Sequence, residues 1–214
     1  MHRLLEILIC VIAGMLLMPF FVLACGAVLV LLGRPLFFSQ VRAGRNGVPF
    51  RLIKLRSMHG TRDAQGALLP DAARQTRVTA LIRRLRLDEL PQLALILRGR
   101  MALVGPRPLL PQTIAAFGEA GRRRGRLRPG LTGWAQVSGN TLLADREKLQ
   151  LDLWYVHHRT AALDLRILGE TIGVALGGER RRPRRLAAAA RWLQAQGPGL
   201  GLGPGLDGGQ EVPA

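Results

Sequence analysis

From Leu4 to Leu32 the chain is apolar apart from Glu6. At about 1.5 Å per residue a helix over this stretch would be longer than the roughly 30 Å of a bilayer's hydrocarbon core. The segment is therefore read as a membrane element. A cleaved signal fits less well, because the apolar run is longer than a signal's hydrophobic region and only His2 and Arg3 stand between it and the initiating residue. Val22-Leu23-Ala24-Cys25 faintly resembles a lipoprotein cleavage site, but Leu23 is poorly suited to that place. Met18-Pro19 lies near the midpoint, where the proline removes a backbone donor and crowds the preceding turn, so a kink or break is expected there. Two topologies follow: a tilted spanning helix with the N-terminus outside, or a helix-break-helix that re-enters and returns both ends to one face.

Arg34, Arg42, Arg45, Arg51, Lys54 and Arg56 follow with no intervening acid, which makes this side cytoplasmic by the positive-inside rule. The whole chain carries 31 Lys and Arg against 14 Asp and Glu, a net charge of +17. Such an excess implies a polyanionic partner, whether nucleic acid, anionic lipid or a diphosphate, and does not choose among them. Cys10 and Cys25 both lie in the apolar segment as small hydrophobes rather than a disulfide framework. With 214 residues there is room for one modest domain besides the anchor. The division expected is an anchor over 1–33, a cytoplasmic domain over 34–177, and a basic, then Gly/Pro-rich tail over 178–214 that lacks order beyond about Gln196.

Leu36 to Arg42 and Val48 to Lys54 are β-prone runs around Ala43-Gly44-Arg45-Asn46-Gly47, a hairpin pattern. Helical spacing is read over Thr76 to Arg86, from the acid pair to Leu97 with Gly99 as its stop, over Leu109 to Arg126, over Leu142 to Val156, and over Leu163 to Leu176. The last is too short to span a bilayer; it packs in the core or lies at the interface.

Two adjacent carboxylates, Asp88 and Glu89, stand out in so basic a chain. Pro91 suits the first turn of a helix, so both acids are placed in that turn, where free amides favour their ionised forms. Helix-start acids are ordinarily capping residues; the neighbouring motifs suggest more. Leu103-Val104-Gly105-Pro106-Arg107-Pro108 fixes Arg107 in a stiff turn, suited to gripping phosphate with little entropy loss. Arg128-Pro129-Gly130-Leu131-Thr132-Gly133-Trp134 repeats the theme and adds glycines that permit close backbone approach to a ligand.

Together with Lys54-Leu55-Arg56-Ser57-Met58, Leu87 to Leu93, Arg128 to Val137 and Asp152-Leu153-Trp154-Tyr155-Val156, these motifs resemble, in order and over residues 1–177, the bacterial sugar transferases, or monotopic phosphoglycosyl transferases. The resemblance implies an α+β, mainly helical fold with a re-entrant membrane helix broken at Met18-Pro19, a small catalytic domain and interfacial helices. It implies transfer of a sugar 1-phosphate from a UDP-sugar to undecaprenyl phosphate at the cytoplasmic face of the bacterial inner membrane, releasing UMP and initiating polysaccharide or glycan assembly. By similarity Asp88 is the nucleophile and contacts Mg²⁺, and Glu89 assists the acceptor or the metal. Lys54, Arg56, Arg107 and Arg128 are candidates for the substrate phosphates, and Asp152 for orienting the site. Such chemistry needs these residue types, because a carboxylate approaches a diphosphate only where cations neutralise it.

The sequence departs from the family pattern at Met18, where serine is common, at Arg86, where a hydroxyl N-cap is common, and at Asn140 and His157. His157 and His158 are read as structural or interfacial. The competing reading is a non-catalytic, membrane-tethered basic module for nucleic acid or anionic lipid; it leaves the acid pair unexplained, and no nucleic-acid partner is expected. The sugar, the pathway and the oligomeric state have no signature in the sequence.

Overall fold

The computed structural model describes residues 2–196. One long helix, α1 (Arg3–Leu32), carries the apolar segment and continues through Pro19; the expected break does not interrupt it. It is the one helix among the described residues long and apolar enough to cross a membrane. Its outer face exposes Leu4, Met15, Leu16, Phe20, Leu23 and Val30. Its inner face is a seam of smaller side chains: Cys10 joins the core around Leu93 and Ile96, Gly14 faces Leu93, and Ala24 and Val28 pack with Leu55 and Ile82.

Both ends of α1 are bonded to the same domain. At its start Arg3 donates to the carbonyls of Ile96 (2.6 Å) and Leu97 (3.1 Å). There too Glu6, 4% exposed, accepts from the Leu103 amide at 2.8 Å and from Arg128 at 3.0 Å. At its other end Arg56 donates to the carbonyls of Leu32, Gly33 and Arg34.

The hairpin forms as its alternation suggests, from β1 (Phe37–Ala43) and β2 (Pro49–Leu55), antiparallel with Phe38 opposite Lys54 and Arg42 opposite Phe50. A second, parallel pair that the sequence did not suggest joins β3 (Ala102–Val104) to β4 (Gly130–Thr132). Here the glycines serve backbone against backbone rather than a ligand. A Cβ on Gly130 would lie 2.1 Å from the Gly105 nitrogen, and one on Gly105 would lie 2.5 Å from the Arg128 carbonyl oxygen.

Helix α2 (Arg77–Arg84) starts at Thr76 with a capping box to Thr79. The acids do not occupy an α-helical turn: Leu87–Gln92 is a 3₁₀ segment that leads into the short α3 (Leu93–Leu97). The single helix expected over Leu109 to Arg126 is two, α4 (Pro111–Ala116) and α5 (Gly118–Arg124), because Gly118 takes a left-handed φ of 54°. After the short α6 (Trp134–Val137), α7 (Asp145–His158) contributes Leu149, Leu151, Leu153 and Tyr155 to the core.

Helix α8 (Ala161–Gly177) packs one face on the core through Ile167, with Leu163, Leu168 and Val174 beside it, and leaves Leu165, Ile172 and Leu176 exposed on the other. The tail expected from residue 178 is ordered in part: α9 (Pro183–Ala195) buries Leu186, Ala189 and Leu193 at helical spacing. The Gly/Pro stretch from Gly197 lies outside the described residues. Trp134 stacks on Trp154 (5.4 Å between centroids), Trp154 on His158 (4.3 Å), and Trp192 of α9 meets both histidines, in keeping with a structural reading of that pair.

Candidate active site

Asp88 and Glu89 are buried at 6% and 8% exposure where the 3₁₀ segment passes under the hairpin. Two positions before Asp88, Arg86 at the segment's N-cap has a left-handed φ of 56° and offers no side-chain cap; its guanidinium instead donates to Glu89 at 3.3 Å. Arg107 donates to the other oxygen of Glu89 at 3.0 Å. These bonds use Glu89 to hold Arg107 at the cleft.

The two acids are electrostatically unequal. Burial pushes Glu89 up, but Arg107 and Arg86 more than reverse this and hold its carboxyl below the ordinary range. Burial, reinforced by the charge of Glu89, pushes Asp88 up to about 6 against the pull of Lys54, Arg83 and Arg107. The expectation that a helix start favours the ionised form of both is therefore corrected for Asp88, where desolvation dominates. Burial also lowers Lys54, which sits 5.4 Å over the Phe38 ring. A buried carboxylate with a raised pKa among cations is a reactive arrangement more often than a stabilising one.

Lys54, Glu89, Arg107 and Gln92 line a cleft of about 390 Å³ of empty space, counting its open mouth, together with Gln40 and Arg42 from β1. Arg107 is partly exposed there, its side chain at 42%.

The remaining candidates take partners outside the cleft lining. Arg128 is bonded to Glu6 of α1 and to the Met101 carbonyl at 3.0 Å. Arg56 holds the end of α1. Asp152, 2% exposed, pairs with Arg124 at 2.8 Å, and Arg124 in turn donates to the carbonyl of Arg107 at 2.5 Å. Asp152 thus reaches the site through two links, as part of a latch on the Arg107 turn. The Gly130 amide grips the neighbouring Pro106 carbonyl at 2.9 Å, so the backbone on both sides of Arg107 is fixed.

Sequence reasoning missed Arg42, Arg83 and Arg124. The hairpin register could have supplied Arg42, which shares a strand face with Phe38, the partner of Lys54. Nothing in the run Arg122-Arg123-Arg124 distinguishes the third arginine.

Among the described residues no group of three or more His, Cys, Asp or Glu side chains is placed to hold a metal. Mg²⁺ is commonly bound by one or two carboxylates with substrate phosphates completing its shell. Asp88 would be the carboxylate to hold it here, since both oxygens of Glu89 already accept from arginines.

The family model for bacterial sugar transferases matches residues 1–178. The chain is 44% identical over 168 residues to the uncharacterized sugar transferase EpsL of Bacillus subtilis, covering 74% of this chain and 83% of that one. It is 35% identical over 184 residues to the exopolysaccharide production protein ExoY of Sinorhizobium fredii, covering 78% and 81%. To the UDP-glucose:undecaprenyl-phosphate glucose-1-phosphate transferase of Caulobacter vibrioides it is 34% identical over 193 residues, covering 79% and 67%. The chain belongs to the bacterial sugar transferase family and is an enzyme of the phosphoglycosyl transferase class. The non-catalytic basic module has no support in these matches.

Proposed function

We propose that the chain transfers a sugar 1-phosphate from a UDP-sugar to undecaprenyl phosphate and releases UMP, as the first membrane step of a polysaccharide or glycan. The observation that carries this reading is the buried Asp88, raised to about 6 against the pull of Lys54, Arg83 and Arg107, next in sequence to Glu89, which lines an open cleft with Lys54 and Arg107. A carboxylate oxygen of Asp88 attacks the sugar-bearing phosphorus, and the bond from that phosphorus to the UMP oxygen breaks, its electrons leaving with UMP. An oxygen of undecaprenyl phosphate then attacks the same phosphorus and expels the Asp88 carboxylate. Dividing the transfer lets a water-soluble donor and a lipid-held acceptor use one site in turn. Lys54 and Arg107 neutralise the diphosphate during attack, and Glu89 keeps Arg107 in place. Mg²⁺, held by Asp88 with the donor phosphates, would add further charge neutralisation.

The bonding of both ends of α1 to one domain supports a re-entrant disposition that keeps those ends on the cytoplasmic face of the inner membrane. Exposed Leu165, Ile172 and Leu176 make α8 suited to the interface.

The test is UMP release by the full chain in detergent, given undecaprenyl phosphate, Mg²⁺ and a panel that includes UDP-glucose and UDP-N-acetylgalactosamine. Turnover with at least one donor, its loss in Asp88→Asn, and a phosphosugar mass adduct on Asp88 after donor alone are expected. Full activity in Asp88→Asn overturns the mechanism. A single cysteine at residue 2, in a chain freed of Cys10 and Cys25, is expected to label from the cytoplasmic side; labelling only from outside overturns the topology.

A further inference from the structure

The cleft holds one guanidinium that the transfer as described leaves unused. Arg42 projects from the strand face that also carries Phe38 and Gln40, opposite Leu52 and Lys54, and lines the opening with Arg107. Gln40 Oε1 accepts from Arg42 Nη2 at 2.6 Å, which orients the guanidinium without neutralising it. Its Nε is buried with no hydrogen-bond partner. A buried donor left unpaired carries a desolvation cost that an anion in the cleft would relieve. Burial and the charge of Arg107 both disfavour the cation on Arg42, and the two guanidiniums line one opening, which suits a negative ligand. The carboxylates do not fill that need, because Glu89 is already bonded to Arg86 and Arg107.

Position along the hairpin decides which anion. The Lys54 rung lies beside Asp88, and Arg56, two residues on, holds the end of α1. Arg42 is four residues away along the ladder, roughly 13 Å by strand geometry, toward the hairpin end that bonds to Leu109 and Gly125. Arg107 is bonded to Glu89, next to Asp88, and lines the same opening as Arg42. A diphosphate with its reacting phosphorus at Asp88 would therefore extend past Arg107 toward Arg42, away from the end of α1. We propose that Arg42, oriented by Gln40, binds the nucleotide-side phosphate of the donor, the one that departs in UMP. This assignment rests on the function proposed above and adds a residue to it.

UDP with Mg²⁺, titrated calorimetrically into the detergent-solubilised full chain, is the direct probe. Arg42→Gln is expected to weaken UDP binding on the order of 10- to 100-fold, the worth of a charge-assisted hydrogen bond. Arg42→Lys keeps the charge and the stem but not the planar donor set, and is expected to lose less. In a two-step transfer, kcat/KM for undecaprenyl phosphate reports only the second step, and is expected to stay at the wild-type value in both variants. Unchanged UDP affinity in Arg42→Gln, or in Arg42→Lys should the Gln variant fail to fold, overturns the assignment. A fall in kcat/KM for undecaprenyl phosphate with UDP affinity intact also overturns it, placing the lipid phosphate at Arg42 instead. A wild-type chain that does not bind UDP would instead sink the functional reading itself.

Discussion

Arg107 and Arg128 look alike in the sequence, each beside a proline in a stiff turn, and in the structure each donates to a glutamate at 3.0 Å. Their surroundings differ. Glu6, the partner of Arg128, also accepts from Arg3 at 2.5 Å and from the Leu103 amide, so at the α1 seam cations and acceptors are matched. In the cleft five cations, Arg42, Lys54, Arg83, Arg86 and Arg107, meet two carboxylates, against two arginines for one carboxylate at the seam, and the Arg42 Nε has no acceptor. A matched pair joins two parts of a fold, whereas an unmatched excess beside an opening is built for an anion that arrives later. The balance of charge around each arginine, more than its own geometry, separates anchor from binding group.

The sharpest break of that contrast falls on the Asp152–Arg124 latch, which is matched like the seam but acts on the cleft. Arg124→Gln leaves the Asp152 carboxyl buried without its cation and is expected to cost about 3–5 kcal/mol of stability. Replacing both together, as Arg124→Met with Asp152→Leu, is expected to recover most of the thermal midpoint, since a buried pair exchanged for apolar groups is often near neutral. It should not recover turnover, because the Arg107 carbonyl would still lack its 2.5 Å donor. Full turnover in the double variant would make the latch a stability device alone.

The cleft should also show the opposite sign. A carboxyl raised from 3.8 to about 6 implies a folding penalty of about 3 kcal/mol. That penalty is absent below about pH 4, where both folded and unfolded forms are protonated, and is complete above about pH 6. Asp88→Asn is therefore expected to raise the midpoint of thermal unfolding at pH 7.5 by several degrees while abolishing turnover. At the seam, Glu6→Gln should do the reverse, lowering the midpoint through loss of about 2 kcal/mol of charge-assisted hydrogen bonding. Its UDP affinity should stay near wild type. If Glu6→Gln abolished UDP binding and left the midpoint alone, the distinction between anchor and binding group would collapse.

How far each region could be read beforehand follows from the same contrast. Asp88-Glu89 and Pro106-Arg107-Pro108 are local patterns whose chemistry is unusual enough to be noticed, and the structure brings them together. Lys54 was within reach because hairpin pairing is also local. The partners that Arg128 and Arg56 take in the fold, Glu6 and the carbonyls of Leu32 and Gly33, could not be read beforehand, because they lie far off in sequence and nothing local marks them. Glu6 itself was visible as the lone acid in an apolar run, but its use became clear only when Leu103 and Arg128 were found around it. Asp152 shows the same limit: the motif offers it for orienting the site, but nothing local shows that Arg124 is brought onto it from α5. In α9 the arginines from Arg180 to Arg185 drew attention from the Leu186, Ala189 and Leu193 stripe that seats the helix.

The smallest expected effect tests the inequality of the two acids directly. The pH dependence of kcat/KM for the donor reports groups in the free enzyme, before any phosphate enters the cleft. Asp88 must be ionised to attack, and its carboxyl stands at about 6, so kcat/KM should be level above about pH 7 and fall tenfold per pH unit well below 6. Glu89, held below the ordinary range by Arg107 and Arg86, should add no second break in that window. Weakening its hold changes this: Arg86→Gln removes one of the two guanidiniums and should move the Glu89 carboxyl upward. A protonated Glu89 no longer adds its charge to the forces that raise Asp88, so the main break in the profile should shift to lower pH as Glu89 protonates. A profile whose break stays put in Arg86→Gln would mean that burial alone sets Asp88 and that its neighbour's charge counts for little. A break that moves would mean that the adjacent acid tunes the nucleophile, and that the pair works as one unit.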